Sequence, residues 1–330
     1  MTSIASMRKI VCSDYGPPET LAVEEAAIPS PAPGQVLVRH RAWGLNYVDL
    51  LMVAGGYQLK PDAPFIPGIE AAGDVIALGD GINDIAIGDR VMTSARYGLF
   101  AEVAAVDQAG IQKLPEAFDY AEGAVFKSAY MTAWNALNHG AHLRPGEVLL
   151  VHGAAGGVGL AAVHIGRLMG AIVIATAGSD EKLAVVKAEG ADHVINYTDG
   201  FKDQVKALTG GRGADVIYDP VGGAVAEESF KAMNYGCRIL YIGFTGGPPV
   251  QIRSNLLLIK GASAIGFRAG EIGRRIPGLN ERSMRDLTAL VETGRLRPHI
   301  SHRTKWPDIA AAMTPIQNRT VIGKSVMEVP

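Results

Sequence analysis

The stretch that most constrains the fold of this chain is Val148 to Leu160, VLLVHGAAGGVGL: a short apolar run, a cluster of glycines, then a helical pattern. Val148, Leu149, Leu150 and Val151 form an aliphatic run suited to a strand buried on both faces of a parallel sheet. Ala154, Gly156 and Gly159 stand in an A-x-G-x-x-G register, with alanine in the first glycine position of the dinucleotide fingerprint. Leu160, Ala161, Val163, His164, Ile165, Leu168 and Met169 then supply the apolar side of a helix closed by Gly170. A glycine turn between strand and helix leaves backbone N–H groups free at the positive end of the helix dipole, where a pyrophosphate can approach. The expected ligand is a dinucleotide. Taken alone, the pattern is also that of a tight turn in a glycine-rich protein.

The flanks extend the argument. From Met7 to about Phe126 the pattern is of short strands, at Lys9–Cys12, Val36–His40, Ala71–Ala77 and Phe100–Ala105, with turns between them and another strand entered through Ile87–Val91. That reads as an all-β first domain. Helical Ala121–Asn138 follows, and from Val148 strands and helices alternate. Strands fall at 148–151, 172–176, 193–197, 214–218, 238–243 and 262–267, and helices at 180–189, 201–208 and about 225–233. Six alternating strands predict a Rossmann-type, doubly wound parallel sheet with its ligand at the carboxyl ends of the strands. A helix at 283–293 and a strand-like 325–329 close the chain.

Composition excludes several classes. The chain has 330 residues, a formal net charge of −2 and 48% hydrophobic residues, with Lys and Arg scattered rather than striped. At ~100–200 residues per domain this suggests two domains, and there is no electrostatic footprint for nucleic acid or an anionic membrane. Cys12 and Cys237 are the only cysteines, too few and too far apart for a disulfide framework or a cysteine-rich metal site. MTSIASMRKI has no apolar segment of signal-peptide length, and no run approaches the ~18–20 residues of a membrane span. The expected location is cytoplasmic.

The second strand of the alternating region indicates which nucleotide. An NAD-selective fold of this kind closes that strand with an acidic residue that holds the ribose 2′-OH. Here the strand ends Ala175-Thr176-Ala177-Gly178-Ser179, with no carboxylate. That leaves room for a 2′-phosphate, with a positive charge from Lys182 and a hydrogen bond from Ser179, so NADPH is favoured. Ser179-Asp180-Glu181 is also an ordinary helix start, and Lys182 by itself reads as a solvated lysine.

Six separated stretches, in order, resemble the medium-chain dehydrogenase/reductase superfamily, and within it the zinc-free NADPH:quinone oxidoreductase branch. They are Gly44-Leu45-Asn46-Tyr47-Val48-Asp49, Pro67 to Gly73 (PGIEAAG), Gly88-Asp89-Arg90-Val91, the turn Ala154 to Gly159, Asp192 to Tyr197 (DHVINY) and Asp219-Pro220-Val221-Gly222-Gly223. The resemblance spans essentially the whole chain. It implies a mostly β, GroES-like catalytic domain over residues 1–125, joined by 296–330, and an NADPH-binding Rossmann domain over 126–295. It also suggests a homodimer formed near Ala262–Phe267. Zinc alcohol dehydrogenases of this superfamily carry a cysteine where Asn46 stands and a histidine where Ile69 stands. No metal is therefore expected.

The resemblance further implies that Asn46 and Thr132 face the nicotinamide, and that Ala155, Gly156, Gly157 and Val158 hold the pyrophosphate. Gly178, Ser179, Lys182, Tyr197 and Arg319 would surround the adenosine 2′-phosphate. Val221, Gly243-Phe244-Thr245 and Ile265-Gly266-Phe267 would line the nicotinamide side, and Tyr57 would sit over the substrate. Each has a plainer reading: Asn46 as a turn residue, Thr132 as a helix-surface residue, Tyr197 as a strand aromatic, Tyr57 packed on its neighbouring glycines, Arg319 as a solvated arginine. Glu70 and Asp89 read as structural carboxylates at strand ends, with Arg90 adjacent, and His299 as structural. The expected chemistry is metal-free hydride transfer from NADPH to a quinone or an α,β-unsaturated carbonyl, with Tyr57 or solvent supplying the hydrogen bond or proton to the acceptor oxygen. The alternatives are an enoyl-thioester reductase and a non-enzymatic NADPH-binding protein.

Overall fold

The computed structural model describes residues 6–330, so the first five residues of the N-terminal stretch lie outside the described residues. The chain divides into two compact units, one ending at Lys127 and resuming with Val291–Pro330, the other Ser128–Leu290. The first unit opens with β1 (Ser6–Val11) and β2 (Ala22–Ala27), an antiparallel pair. Next come β3 (Gln35–Leu45), α1 (Tyr47–Val53), β4 (Glu70–Leu78), β5 (Arg90–Ser94), β6 (Val103–Asp107) and β7 (Ile111–Lys113). Helix α2 (Tyr120–Asn135) then carries the chain from one unit into the other and finishes in a π-helical turn, Ala136–Gly140.

The second unit is built on β8 (Val148–Val151), α3 (Gly157–Leu168), β9 (Ile172–Ala177), α4 (Asp180–Ala188), β10 (His193–Asn196), α5 (Lys202–Leu208), β11 (Ala214–Asp219), α6 (Gly223–Ala232) and β12 (Met233–Tyr241). It continues with α7 (Ser254–Lys260), β13 (Ser263–Gly266), α8 (Ala269–Arg275) and α9 (Leu279–Glu292). The six described strands pair in the order β10-β9-β8-β11-β12-β13, every pair parallel. This is the expected doubly wound sheet. All four residues of β8 are buried, because the strand lies in the middle of the sheet with helices on both faces. The strand order reverses between β8 and β11, which puts the ligand crevice of such a sheet at their carboxyl ends.

The chain returns to the first unit through β14 (Ile300–Lys305), α10 (Ile309–Gln317) and β15 (Lys324–Glu328). β15 runs antiparallel to β3 and parallel to β14, extending the sheet to β14-β15-β3-β4-β5-β7, with β6 also paired to β3. The first unit is thus mostly β but not all β, since α1 and α10 pack into it. Its core centres on Trp43, stacked on Phe100 at 5.4 Å between ring centroids, with Ile10, Val36, Val38, Val91 and Met327 around them. Each such fully buried side chain contributes ~1.5–3 kcal/mol relative to exposure. Among the described residues, no helix is long and apolar enough to cross a membrane.

Candidate active site

In the second unit the turn from β8 to α3 has the geometry of a phosphate cradle. Gly156 caps α3 with extended backbone (φ −79°, ψ 167°), and no side chain accepts from the first helical N–H groups. The first turn of α3 carries no acidic residue, so nothing within the helix competes for an anion at its N-terminus. Gly159 lets helix and turn meet: a Cβ there would lie 2.3 Å from the Gly153 carbonyl oxygen and 2.9 Å from Ala154 Cα. Alanine in place of the first fingerprint glycine is accommodated because Gly153, one residue earlier, takes the positive φ of 55°.

Val221 belongs to the same crevice. A Cβ on Gly153 would lie 2.9 Å from Val221 Cγ2, and one on Gly246 would lie 2.5 Å from Val221 Cγ1, so the fourth strand's exit packs directly on the glycine turn. Asp219 folds that exit by accepting the N–H groups of Val221 (2.8 Å) and Gly222 (2.9 Å) on Oδ1. The turn after β12 is tied to it by Thr245 N and Oγ1, both donating to the Pro220 carbonyl at 3.1 Å, and by Gly246 N donating to the Val221 carbonyl at 2.7 Å. Gly243, Phe244 and Thr245 are therefore held beside Val221. Ile265, Gly266 and Phe267 lie along and just past the edge strand β13, with the buried Phe267 ring close to Gly140. Thr132 is half-buried on α2, its hydroxyl donating to the Ser128 carbonyl at 2.6 Å.

The adenosine end is equally local. β9 ends at the buried Ala177, and Asn196 of β10 pairs with it, so Tyr197 arrives beside Gly178, where a Cβ would lie 3.5 Å from the tyrosine ring. Ser179 caps α4, accepting the Lys182 N–H at 3.4 Å. Gly178, Ser179, Lys182 and Tyr197 thus cluster at the carboxyl ends of two adjacent strands with no carboxylate closing β9. The acid nearest in sequence, Asp180, is engaged by Asn196 Nδ2 at 2.8 Å. Arg319 belongs to the first unit, exposed and with a positive φ of 56° just after α10.

The first unit has its own polar centre, where three neighbouring strands start or end together. Gly44 of β3 pairs with Glu70 of β4 and with Val326 of β15, which brings Asn46, Glu70 and Lys324 to one corner. Lys324 Nζ donates to Glu70 Oε1 at 2.7 Å and to Asn46 Oδ1 at 2.5 Å, and Asn46 Nδ2 donates to Glu70 Oε1 at 2.9 Å. The pair is buried, with 6% of the Lys324 side chain and 2% of Glu70 exposed. Gly44 makes the close approach possible, because a Cβ there would lie 2.0 Å from the Ala124 carbonyl oxygen and 2.8 Å from Glu70 Cγ. Below it, Asn46 N donates to Asp49 Oδ2 at 2.9 Å at the start of α1, while Asp49 Oδ1 is buried without a partner. Burial pushes the Asp49 carboxyl up to about 7, with the Glu70 charge acting in the same direction and the Asn46 N–H and Lys324 opposing.

This corner does not fit a zinc ion. Asn46 and Ile69 are not Cys/His donors, the Lys324 ammonium lies against the Glu70 carboxylate, and both cysteines are buried free thiols. Among the described residues no group of three His, Cys, Asp or Glu side chains could hold a metal. Tyr57 is half-buried and packs beside Cys12, Met52, Val53 and Phe65. Of the other polar residues read as structural, Asp89 accepts the Ala86 N–H and pairs with Lys113 at 3.0 Å. Arg90, adjacent in sequence, turns instead to the Phe118 carbonyl and the Tyr120 ring. The His299 carbonyl receives the Lys324 N–H.

Lys324 is the residue that sequence reasoning missed. The strand-like stretch was read from Ser325, one residue too late. The available signal was a lysine directly after Gly323, entering a strand whose residues are otherwise buried. Its partners come from positions 46 and 70, a separation that spacing along the chain does not reveal.

Residues 157–284 match the zinc-binding dehydrogenase family, and residues 32–116 match the alcohol dehydrogenase GroES-like domain. The chain is 35% identical to quinone oxidoreductase-like protein 2 homolog of Nematostella vectensis, over 99% of this chain and 90% of that protein. It is also 35% identical to human quinone oxidoreductase, over 79% of each. A solved Pseudomonas syringae quinone oxidoreductase superposes with a TM-score of 0.90 at 28% identity, over 98% of this chain and 99% of that one. The family implies a nicotinamide cofactor, and the glycine cradle of the second unit fits one. With a GroES-like first unit, a parallel Rossmann sheet and these relatives along nearly its whole length, the chain belongs to the medium-chain dehydrogenase/reductase superfamily, in its quinone oxidoreductase branch, and is an oxidoreductase.

Proposed function

We propose that the protein is an NADPH-dependent, metal-independent reductase that delivers hydride to a quinone or an α,β-unsaturated carbonyl. The observation that carries the nucleotide choice is the end of β9. It closes on Ala177-Gly178-Ser179 without a carboxylate, with Tyr197 against Gly178 and Lys182 in the first turn of α4. A ribose 2′-phosphate has room and donors there, and the acid that follows Ser179, Asp180, is held by Asn196. Arg319 is assigned to the same phosphate.

When bound, NADPH supplies a hydride from nicotinamide C4. The residues of this chain bind and orient. The N–H groups at Ala155–Val158 hold the pyrophosphate. Val221 and the 243–245 turn, with Ile265–Phe267, pack against the nicotinamide, and Asn46 and Thr132 face it. Holding the reacting carbons in contact and excluding water is what accelerates hydride transfer. Tyr57 is placed over the acceptor to give its oxygen a hydrogen bond. Metal independence is supported by the Lys324–Glu70 pair standing where a zinc site would need free donors.

The edge strand β13, with Tyr235, Leu258 and Ile259 exposed nearby, supports a homodimer formed through that edge, and two buried free thiols suit a reducing, cytoplasmic setting. The deciding experiment follows oxidation of NADPH and NADH by quinones, 2-enones and enoyl thioesters, with and without chelator. The expected result is chelator-insensitive NADPH oxidation by a quinone or enone. Preference for NADH would overturn the reading of the β9 end. Turnover confined to enoyl thioesters, or tight NADPH binding without turnover, would overturn the acceptor class.

A further inference from the structure

One imidazole ties the glycine turn of the second unit to the strands beside it. His152 follows β8 directly and is completely buried. Both ring nitrogens are bonded: Nδ1 lies 2.9 Å from Thr176 Oγ1, near the end of β9, and Nε2 lies 2.8 Å from Ser229 Oγ on α6. The Ser229 hydroxyl has a single hydrogen, which it donates to the Val225 carbonyl at 2.9 Å. Ser229 therefore accepts the Nε2 hydrogen, which leaves Nδ1 as the acceptor of the Thr176 hydroxyl. Burial pushes the ring down to about 3, so it is neutral, and a single tautomer satisfies both bonds. The main chain is tied along the same lines. His152 N donates to the Tyr218 carbonyl of β11 and Ala154 N to the Thr176 carbonyl, each at 3.0 Å, and the Phe201 ring packs on the imidazole at 4.7 Å between centroids.

We propose that His152 is a positioning residue: as a neutral Nε2–H imidazole held by Thr176 and Ser229, it keeps the Ala155–Val158 cradle in register with the end of β9, so that one dinucleotide can use both. The inference rests on the proposed reading that the cradle holds the pyrophosphate and the end of β9 the 2′-phosphate, and it names what fixes the span between them. Residues 153–157 are glycines and alanines, so the turn has no polar side chain of its own, and the imidazole before it supplies the side-chain bonds. A ligand that touches one end does not feel the register. A ligand that spans both does, because its second contact is made at full strength only when the first leaves it correctly placed.

The test is a binding experiment, independent of turnover, with an NMR arm. Isothermal titration compares NADP+, which spans the cradle and the end of β9, with 2′-AMP, which reaches the end of β9 alone. Thr176→Val keeps the shape of the side chain and removes the hydroxyl. It is expected to weaken NADP+ binding at least ~5-fold while 2′-AMP stays within ~2-fold of wild type. Thr176→Ser, which keeps the hydroxyl, is expected to stay within ~2-fold of wild type for both ligands. A merely structural loss would not separate the two ligands in this way. Should T176V not fold, Ser229→Ala, which takes away the other partner of the ring, must give the same separation. With histidine-selective 15N labelling, the His152 ring of the wild-type protein must appear as the neutral Nε2–H tautomer, its signals identified by their change in T176V or S229A. An Nδ1–H or doubly protonated ring overturns the proposal. So does a folded variant that loses nothing or weakens both ligands equally, or a serine that fails to restore NADP+ binding. Failure of wild type to bind NADP+ and 2′-AMP would sink the nucleotide assignment itself, and the proposal with it.

Discussion

Replacing Asp49 with asparagine should remove a pH dependence of stability that the native fold carries. The Asp49 carboxyl is fully buried, accepts one N–H from Asn46 on Oδ2, and has no partner for Oδ1. Burial raises it from its ordinary 3.8 to about 7, so the folded chain holds a proton that the unfolded chain releases from about pH 4 upward. The sign follows: below pH 4 both states are protonated and there is no penalty, the penalty grows as pH rises toward 7, and above that it is constant. At ~1.36 kcal/mol per pH unit the full span corresponds to roughly 4 kcal/mol lost at pH 8 relative to pH 4. The amide introduced by D49N can still accept from Asn46 N but cannot ionise. It carries a pH-independent cost of about 1–3 kcal/mol for its unpaired NH2. The difference in unfolding free energy between D49N and wild type, from urea melts at pH 5, 6, 7 and 8, should therefore move in favour of the variant by ~2–4 kcal/mol across the series. Groups titrating elsewhere cancel in this difference. A difference that stays flat within ~0.5 kcal/mol would show that Asp49 is ionised in the fold and that the burial argument is wrong.

Three further outcomes are expected. Gly159→Ala should weaken NADPH binding at least ~10-fold and lower stability by about 1–3 kcal/mol, because its Cβ would meet the Gly153 carbonyl at 2.3 Å. A fluorescence titration giving the wild-type affinity would count against this turn as the pyrophosphate cradle. His40 and His152 are buried and neutral, pushed down to about 4 and about 3 by burial, so the protein should lose up to ~3 kcal/mol per histidine as pH falls from 6.5 toward 4. Urea midpoints that do not fall over that range would refute it. Lys182→Ala should reduce affinity for NADPH ~10-fold or more while leaving NADH unaffected; equal losses for the two nucleotides would remove Lys182 from the 2′-phosphate site.

The nucleotide unit was the legible part. A buried strand, a glycine turn and a helix are all encoded within thirteen residues, and the sheet around them follows from alternating local patterns, so Ala154, Gly156 and Gly159 could be read in place. The missing acid after Ala177 was equally local, because strand and cap are adjacent in the chain. The first unit was harder to read. Its strands are short, α1 and α10 were not anticipated, and β14 and β15 join a sheet whose other strands precede them by some two hundred residues.

Tertiary structure alone decided the polar corner. Asn46 and Ile69 could be read from sequence as poor zinc donors, but nothing local announced Lys324, because an ion pair between positions 70 and 324 exists only once β15 lies against β3 and β3 against β4. Secondary structure and turn chemistry are written in neighbouring residues and can be read from them. The charge that fills a buried corner is set by which strands become neighbours, and that is settled only when the sheet closes.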